Sequence, residues 1–266
     1  MRPIAHRIIP VLGLCASLVT PLVAHAEEAD EEPYTIVYGA RPITLNAGQF
    51  AGALALDFIK PGSGADLAID ADIALDYGVI KNLTVGVEAN FGLSPKSDLR
   101  NPTLYGLYRF LRGATPVELG VILEATFPVE DGTHFGLAPG IVGSWQINPA
   151  AKLEFGVKLG LTFSDPLGKE LAVPLALAIS FTRNIFFQLD TGLFLPDFKS
   201  DLLIVPVGVR FGYTLPKNDD SPLLDLYVGF SFPSFLGPKL DLTNGTSSTG
   251  VNTDFWEIAV GGRFFY

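Results

Sequence analysis

The sequence has one cysteine, Cys15, and it lies in an N-terminal segment expected to be removed. A mature chain without cysteine has no disulfide framework and no thiolate site. Charge is scarce, at 17% of residues against 48% hydrophobic. Basic residues are fewer than acidic ones, 18 against 28, and form no patch, which excludes nucleic-acid binding. Beyond the N-terminus no stretch has the ~18 consecutive apolar residues of a membrane-spanning helix. Gly-x-Ser-x-Gly, His-Glu-x-x-His and a phosphate loop are all absent. So much apolar content without long apolar runs must come from many short alternating segments.

The first 26 residues read as a signal peptide. Arg2 and Arg7 supply the positive start, and Ile8 to Val23 the apolar stretch. Ala24-His25-Ala26 supplies the cleavage site, followed at once by Glu27 and Glu28. A lipoprotein signal needs a small residue before its cysteine, and Leu14 is not small. Residues 27–42 read as a periplasmic N-terminal segment, acidic as far as Pro33.

From about Thr44 to Tyr266 one device repeats: a segment of alternating residues, then a polar turn. Lys152 to Phe163 is the clearest. Leu153, Phe155, Val157, Leu159, Leu161 and Phe163 form one face; Lys152, Glu154, Gly156, Lys158, Gly160 and Thr162 form the other. Twelve such segments are expected: 45–58, 66–77, 82–93, 103–112, 117–127, 134–147, 152–163, 170–182, 184–196, 202–215, 222–233 and 253–266. In 103–112, Tyr105 and Leu107 fall on the supposed polar face. Pro139, Pro174 and Pro206 lie inside strands and predict bulges. The residues from Ser234 to Asn252 are expected to form a long polar loop.

Alternation also suits a soluble sandwich, whose apolar face turns inward. Three features favour the inverted arrangement. A twelve-residue strand rising ~3.3 Å per residue and tilted ~45° spans roughly 28 Å, near the ~25 Å apolar band of an outer membrane. Aromatic residues stand near strand ends on the apolar face, among them Tyr77, Phe110, Phe127, Trp145, Phe163, Phe181, Tyr213 and Tyr266. They predict two aromatic girdles. The polar face is rich in glycine and alanine, which suit the concave side of a closed sheet. The fold class expected is therefore all-β, a transmembrane antiparallel β-barrel over residues 43–266. Its surroundings are expected to be lipid of a Gram-negative outer membrane.

The last strand, Asp254 to Tyr266, resembles the C-terminal signal of Gram-negative outer-membrane barrel proteins. Trp256, Ile258, Val260, Phe264 and Tyr266 match its alternating apolar pattern and terminal aromatic, while Gly262 departs from it. The resemblance implies recognition by the barrel-assembly machinery. The whole chain is similar to small transporter-like barrels of the phenol-degradation (MetA-pathway) type. Thr35-Ile-Val-Tyr-Gly-Ala-Arg41 resembles the box by which TonB-dependent receptors engage TonB. A lead-in to the first strand and a small plug stay open beside that reading.

The inner face is expected to carry Asp57, Asp70, Asp72, Asp76, Glu88, Glu118, Glu124, Glu154, Asp190, Asp225 and Glu257 against Arg109, Lys152, Lys158, Arg210 and Arg263. Paired charges filling a closed lumen are one reading. An acid-rich passage for small solutes is the other, since carboxylate rings favour cations. Asp70, Asp72 and Asp76 share one strand face at ~6.6 Å spacing and must repel unless bases or a cation intervene. A closed structural or surface-interaction barrel is the first alternative to a passive channel. An outer-membrane hydrolase is the second, with His134 beside Asp131 and Thr133 as its candidate dyad. No metal and no cofactor is implied, and the barrel is expected to be a monomer.

Overall fold

A computed structural model describes residues 34–112, 116–218, 220–241 and 246–266. The expected signal peptide and the acidic run Glu27–Pro33 lie outside the described residues. The strands are β1 (Phe50–Lys60), β2 (Ala68–Ile80), β3 (Leu83–Ser94), β4 (Asp98–Leu99), β5 (Thr103–Leu111), β6 (Val117–Thr126) and β7 (Gly136–Asn148). They continue as β8 (Ala151–Thr162), β9 (Gly168–Ser180), β10 (Ile185–Pro196), β11 (Val205–Pro216), β12 (Pro222–Asp241), β13 (Thr246–Val251) and β14 (Trp256–Phe265).

Apart from the short β4 and β13, these form a closed antiparallel barrel of 12 strands. Neighbours in sequence pair in sequence order, and β14 closes the ring by pairing with β1. The closure is tight at the termini: Phe50 and Tyr266 exchange backbone hydrogen bonds of 2.9 and 2.8 Å. Closure leaves no sheet edge among the main strands, the condition that hydrocarbon imposes on any spanning sheet. The end that holds Tyr34 and Tyr266, the first and last described residues, carries the shortest turns, at 81–82, 149–150 and 181–184. The opposite end carries longer connections, such as 61–67, 127–135 and 197–204.

The distribution of side chains is inside-out. Leu54, Leu123 and Ile141, in strand interiors, are 56%, 54% and 55% exposed. Asp70 and Asp225 are 2% exposed. A period of two sends successive side chains to opposite faces of a sheet. In β2 that places Asp70, Asp72 and Asp76 within the barrel and Ile73, Leu75 and Tyr77 on its outside.

Three local expectations change. The first strand begins at Phe50, not 45: Leu45 turns inward and its N–H donates to Thr84 Oγ1 at 2.8 Å, and Gly48 takes a φ of +75° before the strand starts. The expected loop from Ser234 to Asn252 is instead largely a hairpin, because β12 runs on to Asp241 and pairs with β13. Backbone pairing needs no apolar alternation, so Pro233, Pro238 and the Ser/Thr-rich run concealed it. Its tip, residues 242–245, lies outside the described residues.

Of the three strand prolines only Pro206 marks a register shift. Pro139 pairs with Leu123 and Pro174 with Gly192 in unbroken register, and both turn their missing donors toward β8, where pairs are skipped. In β5, Tyr105 and Leu107 do face the interior. The Tyr105 hydroxyl donates to Asp76, and Leu107 is buried at the end of the barrel that holds the N-terminal segment.

Candidate functional site

The barrel interior holds two adjoining cavities, of about 670 and 410 Å³, which share Ala53, Ala74 and Glu88 in their walls. The larger lies toward the end with the termini. Its floor is the segment 34–49, which contributes Tyr34, Tyr38, Arg41, Ile43 and Leu45 to the lining.

That segment runs along the inner wall as an extended chain broken by one 3-10 turn, Tyr38–Ala40. It touches the strands one after another. The Ile36 N–H donates to the Asp220 carbonyl at 3.0 Å, just before β12. The Tyr38 ring stacks on Phe186 of β10 at 4.0 Å, and its hydroxyl donates to Gln188 Oε1 at 2.6 Å. The Gly39 N–H donates to Ser180 Oγ of β9 at 3.0 Å, and Gln146 of β7 donates to the Gly39 carbonyl at 2.7 Å. Lys152 Nζ of β8 donates to the Arg41 carbonyl at 2.8 Å. The Ile43 N–H donates to Glu118 Oε2 of β6 at 3.0 Å. These side chains satisfy backbone groups that the segment cannot pair within itself.

Arg41 is the anchor. Its guanidinium forms a two-pronged pair with Asp225 on β12, Nη2 lying 2.9 Å from Oδ1. Nη2 also reaches Thr214 Oγ1 at 3.3 Å, and Nε donates to the Thr35 carbonyl at 3.0 Å. Burial opposes its charge, but the carboxylate of Asp225, together with the Tyr34 and Tyr38 hydroxyls, holds the guanidinium above its ordinary pKa. Burial pushes the Tyr38 phenol up to about 12, so its hydroxyl stays protonated as the donor to Gln188.

Glycine makes the close approach possible at two places. A Cβ at Gly39 would lie 2.4 Å from the Ala150 carbonyl oxygen in the β7–β8 turn. A Cβ at Gly78 would lie 1.8 Å from the carbonyl oxygen of Asn46.

The charges of the inner wall fall into two groups. In one, each carboxylate has a base: Asp70 with Arg100 (2.9 Å), Asp76 with Arg263 (2.7 Å), Glu118 with Arg109 (2.7 Å), Glu124 with Lys158 (2.8 Å) and Glu154 with Lys152 (2.7 Å). The three acids of β2 are thus drawn apart, since Asp72 instead accepts from the Asn90 amide. The other group lines the smaller cavity: Asp57, Asp72, Glu88 and Glu257, with Arg210 the cation beside them. Arg210 lies over the Tyr227 ring at 4.8 Å. Asp190 accepts from the Gln188 amide at 2.5 Å.

No family model and no curated sequence matches the chain. Solved structures do. A NanC porin superposes with a TM-score of 0.62 at 9% identity, covering 80% of this chain and 98% of that one. The KdgM porin gives 0.56 at 7% identity, with the same coverage. The COG4313 outer membrane channel from Pseudomonas putida F1 gives 0.56 at 11% identity, covering 90% and 100%. The fold is that of the outer-membrane porins and channels.

In this porin fold, Arg41, Thr214 and Gln188 are among the residues of the interior that sequence reasoning missed, as are Tyr38 and Arg100. Asp225 was expected on the inner face, but not as the partner of a residue outside the strands. The available signal was an arginine inside an otherwise apolar run, Thr35 to Pro42. A buried charge requires a partner, and β12 supplies it. The segment that resembles a TonB box is packed within the barrel, with Ile36 2% and Arg41 5% exposed.

His134 stands exposed at the mouth away from the termini, and no hydrogen bond among the described residues joins it to Asp131. Among the described residues no group of three or more His, Cys, Asp or Glu side chains could hold a metal ion. On β14, Val260 and Phe264 face outward and exposed, with Trp256 and Ile258 on the same face, and Tyr266 just beyond the strand is exposed as well.

Proposed function

We propose that this protein is a passive channel for small, preferentially cationic solutes across a Gram-negative outer membrane. The observation that carries the reading is the pairing of an apolar exterior with interior cavities of about 670 and 410 Å³ lined by ionisable groups. Twelve strands make a wider ring than the eight whose interior side chains fill, so the size of the inward residues decides how much space is left. Small inward residues such as Ala53, Ala74 and Ala176 supply that space here. The selectivity follows from the acids of the smaller cavity, which Arg210 only partly balances. Similarity to porins and to the COG4313 channel supports the same reading.

The exposed Tyr77, Phe110, Phe127, Trp145, Phe163 and Phe181 fit two interfacial girdles. The outward apolar face of β14 fits recognition by the barrel-assembly machinery. A ring closed within one chain fits a monomer.

The segment 34–49 favours a second state of the same protein, a barrel narrowed or shut at the end with the termini. The hydrolase alternative draws no support from the position of His134.

Single-channel recording in a planar bilayer tests the reading. Discrete current steps are expected, with a reversal potential in a potassium chloride gradient that favours potassium. Silence at every voltage, with the segment present or deleted, would refute the channel.

A further inference from the structure

We propose that the half of the lumen away from the termini contains a binding site for small primary ammonium cations, centred on Asp57. The site deepens the channel reading and depends on it only for access to the lumen.

Asp57 is 5% exposed and lines the smaller cavity, yet its Oδ2 has no hydrogen-bond partner among the described residues. A buried carboxyl oxygen calls for a partner, and the neighbouring Asp72 carboxyl supplies one only with a proton or a cation between the two. The wall around it adds more negative charge. The carboxyl of Asp72 lies within hydrogen-bonding reach of Asp57, and Glu257 and Glu88 border the same space. None of these four forms an ion pair among the described residues, whereas Asp70, Asp76, Glu118 and Glu124 each do.

Strand register explains the concentration. Asp57 on β1 stands opposite Ala259 on β14 and Asp70 on β2, which sets Glu257 and Asp72 diagonally to either side of it. Glu88 follows on β3, opposite Ala74. The acids therefore form an oblique band over four consecutive strands, with Arg210 as the facing cation.

The shape of this charge selects the ligand class. The carboxylates border a cavity of about 410 Å³ and do not converge on one point, and no metal-holding group exists among the described residues. A chelated metal ion would need convergence. An organic ammonium instead offers several N–H donors on an extended body. Asn90, Asn101 and Thr103 add polar contacts on the same wall. Four carboxylates against one guanidinium favour a ligand with two ammonium groups over one.

The test is calorimetric titration of the full chain, folded in detergent, with 1,4-diaminobutane in about 150 mM sodium chloride, where unspecific surface attraction is screened beyond ~8 Å. Saturable one-to-one binding is expected, weakened at least about tenfold by Asp57→Asn and also by Glu257→Gln. Circular dichroism confirms that each variant is folded. Asp254→Asn, at an exposed position, leaves the affinity unchanged. Two results would overturn the site: no binding, as when Asp57 and Asp72 simply share a proton, or equal weakening by Asp254→Asn. A barrel that conducts ions yet takes up no diamine refutes the site and leaves the channel. One that binds the diamine yet passes no current refutes the channel and leaves the site.

Discussion

Arg41 and Asp225, 184 positions apart in sequence, form a buried two-pronged ion pair that ties the N-terminal segment to the wall of the barrel. Both side chains are at most 5% exposed. Removing one partner of such a pair leaves the other charged and desolvated, at a cost of about 3–5 kcal/mol. Arg41→Ala is therefore expected to release the segment. Limited proteolysis would then cut within 34–49 at least about tenfold faster, and single-channel current would rise. Arg41→Lys should be intermediate, because a lysine cannot reproduce the fork geometry. A wild-type cleavage rate in Arg41→Ala would mean that the pair does not hold the segment.

The same release should follow without any change of charge. Gly39→Val places a side chain where the Ala150 carbonyl already lies 2.4 Å from the Cβ position. The expected outcome is faster cleavage of the segment with the barrel unchanged by circular dichroism. A segment as protected as in the wild type would show that this approach is looser than described.

Docking of the segment should weaken in strong alkali. The Tyr38 phenol has a folded pKa raised from 10.0 to about 12. Because the folded value is the higher, the full contribution is present below 10.0 and is lost progressively as pH rises toward about 12. Cleavage rates measured across that window should climb in the wild type. Tyr38→Phe removes the titrating group, and its profile should be flatter. A flat wild-type profile would contradict the buried phenol.

The outer face should reject charge in proportion to depth. Ile141, 55% exposed in the middle of β7, is read as lipid-facing. Ile141→Arg is expected to cost about 2–4 kcal/mol in a bilayer. Urea unfolding in lipid vesicles measures it. Val142→Thr, one position along and facing the lumen, should change stability far less.

The twelve strands and their inward and outward faces were legible because a period of two survives in almost every segment. Asp70, Asp72 and Asp76 against Ile73, Leu75 and Tyr77 show the division directly. What the sequence concealed was pairing across the barrel. Arg100, in the connection between β4 and β5, reaches Asp70, and Arg263 of β14 reaches Asp76; neither is close in sequence to its partner. The segment 34–49 was harder still. It has no periodicity, since its contacts are made by single side chains and backbone groups of successive strands. The hairpin of β12 and β13 was masked by prolines and by a Ser/Thr-rich composition that equally suits a loop.

A water-filled passage requires a wall that alternates residue by residue between lumen and lipid. Cys15 is the only cysteine in the sequence, so in a barrel produced from Glu27 onward a single introduced cysteine reports alone. Ala74 borders both cavities, while its neighbour Leu75 is 41% exposed on the outside. The decisive measurement is single-channel current through Ala74→Cys and Leu75→Cys barrels before and after a charged, water-soluble thiol reagent. The current should change stepwise for Ala74→Cys and stay constant for Leu75→Cys. Equal responses, or no current in either, would contradict such a passage.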